Sequence, residues 1–469
     1  MSNNNDYFKS KEFLAILQEY EDCEEKGMPC IISTDDYANI TEYYHTKGLL
    51  DKACRTADEA LSLYPGMAVP LSCRARLCLI MNNNIAEAEY YANQIEEIYD
   101  PEYIYIKAEI MIADNQAEKA DEYLEEAVKE TDEEEHDDFC FDIACLFADY
   151  EHYDIAWKWI KRVVDVSDDD YLELYGRILI GTGKYAEGEK IFNNLLDKNP
   201  FSTIYWNNLA TSQLKQNNIK DSIQSSEYSI ALDPTDENAL INKANGLYTL
   251  GNFEEALIYY HRYSTLLPDD DYGEMFQGIC HLCLNQYEEA LNHLLKAESN
   301  ALPSSPNLLD IYQEIAFTKS KLNDLQGAIQ YLEKTDALEC NHAEISVIKG
   351  HIYLEHGVSD MAQKYFDEAF MQSKSDPEIF FRIAVSFYDN NLFYQAIQMF
   401  QLLQSRVNWP ELHIYMAACY KELGMKEPFL EHLQIAVEQD PEESRQVLSY
   451  MFPQGMDPSD YYSYIQNSK

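Results

Sequence analysis

The sequence has 469 residues, of which 46% are apolar, and a formal net charge of −48 at pH 7. That length suffices for several compact domains or one long repeat array, while 16 glycines and 15 prolines are too few for a turn-rich all-β fold. The charge disfavours nucleic acid and anionic membranes as partners, because both are polyanions, and favours neutral or basic ones. A simpler interpretation is that charge keeps a long exposed surface soluble.

The cysteines and the first residues of the chain indicate the cellular compartment of the protein. Eleven cysteines are an odd number, and most fall within apolar helical patterns, which predicts reduced, buried thiols. Such thiols fit a reducing compartment, so we expect a cytoplasmic protein. The first residues lack the apolar segment of a signal peptide, and no apolar run approaches the roughly 18 residues of a membrane span.

Residues 1–33 are predicted to form an N-terminal capping helix. An apolar stripe at helical spacing runs from Asp6 to about Lys26 and includes Phe13, Leu17 and Tyr20. We expect this helix to cover the first repeat of the array that follows, since a terminal repeat otherwise exposes one apolar face.

From Thr34 onward, a unit of two amphipathic helices recurs about every 34 residues. Its clearest copy runs from Glu237 to Pro268, with a short turn at Gly251 and a proline that cannot continue the second helix. Pro200, Pro234 and Pro268 are each 34 residues apart. Neither helix of a unit can bury its apolar face alone, so neighbouring units must cover it.

This unit resembles the tetratricopeptide repeat. The residues that carry the resemblance are Leu240, Ala244, Gly251, Phe253, Ala256, Tyr260 and Pro268. Tyr263 stands where the family usually has alanine, which we interpret as local repacking. The resemblance implies an all-α fold, a right-handed α-solenoid of about twelve helix-turn-helix repeats with helical caps.

Four segments are predicted. Residues 1–33 form the N-terminal cap, 34–301 carry repeats one to eight, 302–441 carry repeats nine to twelve, and 442–469 form a C-terminal capping helix and tail. The division at 302 depends on an insertion, LPSSP at 302–306, that shifts the repeat phase. This insertion is the best candidate for a bend between two sub-arrays.

The resemblance also implies where a partner would bind. In the family, the first helix of each unit lines a concave groove that holds peptides and partner proteins. By that correspondence, the groove residues are Arg177, Asn207, Asn208, Thr211, Asn242, Asn245, Tyr248, Met275 and Ile279. The amides among them can donate to and accept from an extended peptide backbone, although asparagine at this position is also simply frequent in the family.

From Met275 onward the groove residues become apolar. Phe317, Phe381, Val385 and Tyr388 extend this character into later repeats. An apolar groove with a polar rim is typical of a partner site, but a segment of the chain itself could equally fill it. No adjacent pair of units has the lysine and asparagine pattern with which one family subtype clamps a C-terminal carboxylate.

No constellation of residues indicates catalysis. The stretch from Gly181 to Lys184 resembles the end of a phosphate-binding loop, yet Tyr185 stands where a serine or threonine is required. Cys280 and Cys283 form a lone CxxC inside a helix, without the second pair of a structural zinc site. We therefore predict no enzyme activity, no cofactor and no metal.

Together these features predict a non-catalytic protein–protein interaction scaffold. Its partner would be a protein or peptide, favoured by the charge to be basic, and neither nucleic acid nor membrane is expected. Two alternatives stay open: a self-associating structural protein that forms a homo-oligomer, and a regulatory protein that binds a small ligand in the groove.

Overall fold

The computed structural model describes residues 7–8, 10–82, 84–132, 135–164, 166, 168–453 and 455–467. Within these residues the regular structure consists of twenty-seven α-helices and three short 3₁₀ helices, without a strand. The predicted all-α class is therefore confirmed.

Twenty-four of the helices alternate as first and second helices of twelve repeats. The first helices are α2 (Thr34–Thr46), α4 (Ala68–Asn82), α6 (Pro101–Ala113), α8 (His136–Asp149), α10 (Asp169–Gly181), α12 (Thr203–Lys215), α14 (Glu237–Thr249), α16 (Tyr272–Cys283), α18 (Leu308–Lys321), α20 (His342–Glu355), α22 (Pro377–Asp389) and α24 (Pro410–Glu422). The second helices are α3 (Leu50–Leu63), α5 (Ile85–Ala92), α7 (Ala117–Ala127), α9 (Tyr153–Ile160), α11 (Tyr185–Lys198), α13 (Ile219–Leu232), α15 (Phe253–Leu266), α17 (Tyr287–Asn300), α19 (Leu325–Lys334), α21 (Ser359–Gln372), α23 (Phe393–Gln404) and α25 (Lys426–Gln439). Successive first helices begin 33 to 36 residues apart, which confirms the predicted period.

A residue with left-handed backbone follows the first helix in most repeats. Gly183 (φ 78°) and Gly251 (φ 76°) are examples, and Asn217 (φ 63°) takes the same place in repeat six. Glycine and asparagine tolerate this conformation because it brings the Cβ of other residues close to a carbonyl oxygen. Glu151 (φ 60°) adopts it in repeat four, where its longer side chain makes the turn costly.

Small residues let the two helices of a repeat approach closely. Ala210 and Ser222 are fully buried, and the Ser222 hydroxyl donates a hydrogen bond to the Ala210 carbonyl across the crossing (2.7 Å). In repeat five, a Cβ added to Gly176 would lie 2.8 Å from the ring of Phe192. Close packing therefore requires small residues at this crossing.

The predicted insertion lengthens one linker between repeats. Residues 301–307 connect α17 to α18 with seven residues, whereas the linkers 199–202 and 233–236 before repeats six and seven have four each. The linkers 93–100 and 161–168 of the first unit have eight residues each. Asp271, which is buried in the preceding linker, accepts hydrogen bonds from the side chains of Asn307 (2.8 Å) and Ser305. The longer linker is therefore held against its neighbour, and a domain division at 302 stays a prediction.

A capping helix precedes repeat one. Helix α1 (Lys11–Glu25) begins at Lys11, where the Ser10 side chain caps it by accepting from the Phe13 amide (3.1 Å), and the expected start at Asp6 lies outside the described residues. The apolar stripe did not reveal this cap because Ser10 lies outside the stripe. Phe13 and Tyr20 are buried, and the Tyr20 ring lies edge-on against Tyr37 of repeat one (5.8 Å).

The chain after repeat twelve forms two further helices. They are α26 (Pro441–Leu448) and α27 (Pro458–Asn467). The ring of Tyr461 in α27 stacks on Phe452 at 3.7 Å, and both side chains are buried against the core of the last repeats. The tyrosines of the tail thus belong to a helix that covers the end of the array.

The chain forms two compact units, residues 1–246 and 247–469. The boundary between the two units falls within α14. None of the described helices combines the length and apolar character needed to cross a membrane.

Candidate partner-binding grooves

In the first unit, three predicted groove residues form a seam between the first helices of repeats six and seven. The Asn242 amide donates to the Asn207 backbone carbonyl (3.3 Å) and to the Thr211 hydroxyl (3.2 Å). That hydroxyl donates to the same carbonyl (3.0 Å), and the Asn207 amide donates to both carboxylate oxygens of Asp236 (3.0 and 2.8 Å). The structure therefore brings Asn207, Thr211 and Asn242 together.

Burial indicates that this seam chiefly joins the two helices. Asn207 and Asn242 are only 9% and 8% exposed. The side-chain oxygen of Asn207 is buried and has no described hydrogen-bond partner. The sequence suggested amides that face a ligand. In the structure, these two side chains lie between adjacent first helices, and most of their hydrogen bonds go to neighbouring residues of the chain.

Three further predicted residues lie on the same set of helices. The Asn208 amide donates to the Ile204 carbonyl one turn earlier (2.9 Å) and is half-buried, as is Asn245 on α14. The Arg177 guanidinium on α10 pairs with Asp149 at the end of α8 (2.7 Å). Arg177 thus connects the first helices of repeats four and five rather than the amide seam.

A buried carboxylate lies one turn before Arg177. Glu173 is 3% exposed, and desolvation raises its pKa to about 7 although the charge of Arg177 acts in the opposite direction. A carboxyl with such a pKa is only partly ionised at neutral pH. At neutral pH it therefore carries only part of a negative charge.

In the second unit, the remaining three predicted residues differ in exposure. Met275 is 3% exposed and packs in the core with Leu294 and Ile311. Ile279 is partly buried against the same core, and the half-buried Tyr248 ring lies edge-on to Phe276 (5.8 Å). Tyr248 and Ile279 keep some accessible surface, whereas Met275 supports them from beneath.

A larger concave surface, the apolar groove, lies on the first helices of repeats nine to twelve. It is a cavity of about 510 Å³ lined by side chains of α18, α20, α22 and α24. Its apolar residues are Phe317, Val347, Ile348, Ile352, Phe381, Val385 and Tyr415, and its polar residues are Gln313, Glu314, His351, Glu378, Arg382 and Ser386. Three of the four residues that the sequence placed in an apolar groove therefore line one cavity.

Ring contacts hold the wall of the apolar groove in place. The Phe381 ring lies edge-on to Tyr415 (5.5 Å) and to Trp409 (6.1 Å). Tyr388, the fourth expected residue, packs edge-on against Tyr415 (5.5 Å) and does not line the cavity itself. The aromatic wall is thus ordered before any ligand binds.

Of the charged side chains in the apolar groove, Arg382 has ion-pair partners and Glu314 has none among the described residues. Burial, with a smaller effect of Asp310, raises the pKa of Glu314 to about 7, and no described side chain pairs with its carboxylate. At the rim, the Arg382 guanidinium already pairs with Glu344 (3.5 Å) and Glu378 (3.3 Å). The sequence did not single out Glu314, because a lone glutamate on a helix resembles any solvated residue.

His351 completes the polar part of the groove. Burial lowers the pKa of its imidazole, while the carboxylates of Asp389 and Glu355 act in the opposite direction. The imidazole is therefore mostly neutral near pH 7, and it can donate or accept one hydrogen bond beside the apolar wall.

The motifs that could suggest other chemistry have structural explanations. Gly183 is a left-handed turn residue between α10 and α11. Cys280 is buried and Cys283 exposed on α16, and no group of three metal-binding side chains occurs among the described residues. That the chain binds no metal stays a prediction.

Parts of the repeat region are similar to known proteins. The family model of the tetratricopeptide repeat matches residues 176–237. Outer dynein arm-docking complex subunit 4 of Bos taurus is 31% identical over 132 residues, which cover 27% of this chain and 17% of that protein. Anaphase-promoting complex subunit cut9 of Schizosaccharomyces pombe is 24% identical over 221 residues, which cover 46% of this chain and 33% of that protein.

Two solved structures align with nearly the whole chain. Yeast Tom70 aligns with 99% of this chain and 94% of its own, at a TM-score of 0.45 and 16% identity. Cut9 in its complex with Hcn1 aligns with 96% of this chain and 95% of its own, at a TM-score of 0.38 and 14% identity. The chain spans at most a third of the two curated relatives described above, so those matches concern the repeats and not whole-protein activities.

Proposed function

We propose that this tetratricopeptide repeat protein is a non-catalytic scaffold that holds a peptide segment of a partner protein in the apolar groove. The observation that carries the proposal is the cavity of about 510 Å³ on four successive first helices. Its volume lies in the range of roughly 300–1,000 Å³ that is usual for ligand sites. The two curated relatives are named as subunits of protein complexes, which supports the coarse function.

The chemistry of the groove defines the segment it would take. Phe317, Phe381 and Val385 offer an apolar wall for one large apolar side chain. The Glu314 carboxylate beside them has no described partner, so a basic side chain next to the apolar one would gain a charge-assisted hydrogen bond there. The proposed ligand is therefore a segment with a large apolar residue adjacent to lysine or arginine.

The residues expected from the sequence in repeats five to eight form the second part of the proposal. Arg177, Asn208, Thr211 and Asn245 in the first unit would contact the backbone of an extended segment, with Asn207 and Asn242 holding them in place. In the second unit, Tyr248 and Ile279 would contribute apolar contacts and Met275 would support them.

The free thiols support a cytoplasmic location, which is likewise a proposal. All eleven cysteines are unpaired in the structure, and six of them are buried. Thiols of this kind persist in a reducing compartment.

A display library of about twelve-residue random peptides, selected on the immobilised full-length protein, tests the proposal. We expect enrichment of a large apolar residue next to a basic one. Val385→Asp should lower the affinity for the selected peptide at least about tenfold, because it places a charge against the apolar side chain of the peptide. Ile258→Asp, an equivalent change at a residue on α15 that is 57% exposed and outside the groove, should leave binding unchanged.

Two results would refute the proposal. One is enrichment without a shared sequence, and the other is equal binding by the Val385 and Ile258 variants. Val385→Thr, which keeps the side-chain shape, provides a milder change if the aspartate variant melts early. Glu314→Gln should abolish the preference for the basic residue while leaving the apolar preference in place.

A further inference from the structure

A second cavity, which we call the acidic cavity, lies in the first unit at repeats three and four. It has a volume of about 800 Å³. Its walls come from the segment before α6, from α6, from the end of α7 and from the start of α8. Aromatic side chains form much of this wall, namely Tyr99, Tyr103, Tyr105, Tyr123 and Phe139.

The charges around this cavity are almost all negative. Six carboxylates line it, from Glu126 through Asp142, and the one ammonium in the lining is that of Lys107. Glu126 is paired with Lys129, which lies outside the lining (2.5 Å). The Lys107 ammonium donates a hydrogen bond to the side-chain oxygen of Asn93, just after α5 (3.4 Å), and not to a carboxylate. Glu130 and Asp138 are exposed and make no described side-chain hydrogen bond or ion pair. The cavity therefore holds negative charge that the described part of the chain does not neutralise.

Apolar side chains are exposed at the mouth of the cavity. Exposed apolar surface is unfavourable in water unless a partner covers it. Tyr99 is 79% exposed and Ile98 53% exposed. Deeper in the wall, the Tyr105 ring stacks on Phe139 (5.6 Å) and its hydroxyl donates to Asp142 (3.1 Å). Rings that are held in fixed orientation beside carboxylates offer both stacking and ion pairing to one guest.

We infer that the acidic cavity binds an arginine-rich segment of a partner protein. A guanidinium group is planar, stacks on aromatic faces and pairs with carboxylates through two parallel hydrogen bonds, so it matches both features of the wall. Lysine matches only the charge. This site lies in the first unit and shares no residue with the apolar groove. An experiment can therefore refute this inference and leave the proposed function standing, or refute the proposed function and leave this inference standing.

The test uses the full chain and a fluorescein-labelled peptide of about ten residues that alternates arginine and glycine, followed by fluorescence anisotropy. Binding should weaken as salt rises from about 50 to 200 mM, and the peptide with lysine in place of arginine should bind several-fold more weakly. Glu130→Gln combined with Asp138→Asn should weaken binding about tenfold. Tyr99→Ser should cause a several-fold loss without affecting the melting temperature, since this ring is exposed.

A matched control separates the site from the overall charge. Glu187→Gln combined with Asp197→Asn removes the same two charges from exposed positions on α11 of the same unit. This pair should change binding less than twofold. Equal loss in both pairs would show diffuse attraction to an acidic protein and overturn the inference, as would equal affinity for the arginine and lysine peptides.

Discussion

The last repeat contains a buried histidine pair whose protonation should weaken the fold. His413 on α24 and His432 on α25 are each 9% exposed, with their Nδ1 atoms 2.9 Å apart. The His432 ring also stacks on Tyr420 (5.5 Å). Burial lowers the pKa of both imidazoles, that of His432 to about 4 with a further contribution from His413, while Glu431 acts in the opposite direction.

The direction of the effect follows from where the proton binds. The unfolded chain binds a proton at His432 below about pH 6.5, whereas the folded chain binds it only near pH 4. The free energy of unfolding is therefore highest above pH 6.5 and falls as the pH is lowered towards 4. Between about pH 7.5 and pH 5, this residue alone should remove about 2 kcal/mol of stability.

His432→Gln removes the titration while keeping a polar side chain beside His413. Urea unfolding of both proteins at about pH 7.5 and pH 5 measures the change, and the variant should lose about 2 kcal/mol less than the wild type. His261→Gln, an exposed histidine of the same unit, is the control and should behave like the wild type. Amide exchange at about pH 5 should quicken first in 410–439, because each repeat contacts only its neighbours.

The reasoning would be refuted if the wild type and His432→Gln lost the same stability on acidification. It would also be refuted if the acid-sensitive amides lay away from the last repeat. In the first case the pair would have to accept a proton in the folded state as readily as in the unfolded chain, which contradicts its burial.

Three further predictions concern single positions. Glu151→Gly should raise stability by about 0.5–1 kcal/mol in thermal unfolding, because glycine adopts the left-handed turn without strain; a lower melting temperature would contradict this. Ser222→Ala should cost about 1 kcal/mol in urea unfolding, since it removes the buried hydrogen bond to Ala210, and an unchanged midpoint would argue against that bond. For Glu314, the folded pKa of about 7 lies above the unfolded value, so its contribution to stability is present below about pH 4.5 and lost as the pH rises through 7. Glu314→Gln should therefore be more stable than the wild type by about 1–2 kcal/mol at about pH 8.5 but not at pH 5, after allowance for partial exposure; equal stability at both pH values would oppose it.

The repeat architecture could be predicted because its determinants are local in sequence. A turn glycine such as Gly251, a closing proline such as Pro268 and small residues at the helix crossing recur at a constant spacing, and each acts within one unit. The cap at Ser10, where α1 begins, could not be predicted, since an apolar stripe carries no information about a capping side chain.

The binding surface could be predicted only in part. Phe317, Phe381 and Val385 were expected in an apolar groove from their positions on first helices, and they line one cavity. The acidic cavity was not expected, because it joins the end of one repeat to the start of the next and has no motif of its own.

Spacing along the chain was enough to establish the helical hairpins, their number and their turns, since each depends on residues within one unit. Whether a given polar or apolar side chain is available to a partner depends on its neighbours in space. Asn207 and Asn242 are buried because first helices about one repeat apart in sequence pack side by side. The Glu314 carboxylate has no hydrogen-bond or ion-pair partner among the described residues, and only the folded arrangement could reveal this.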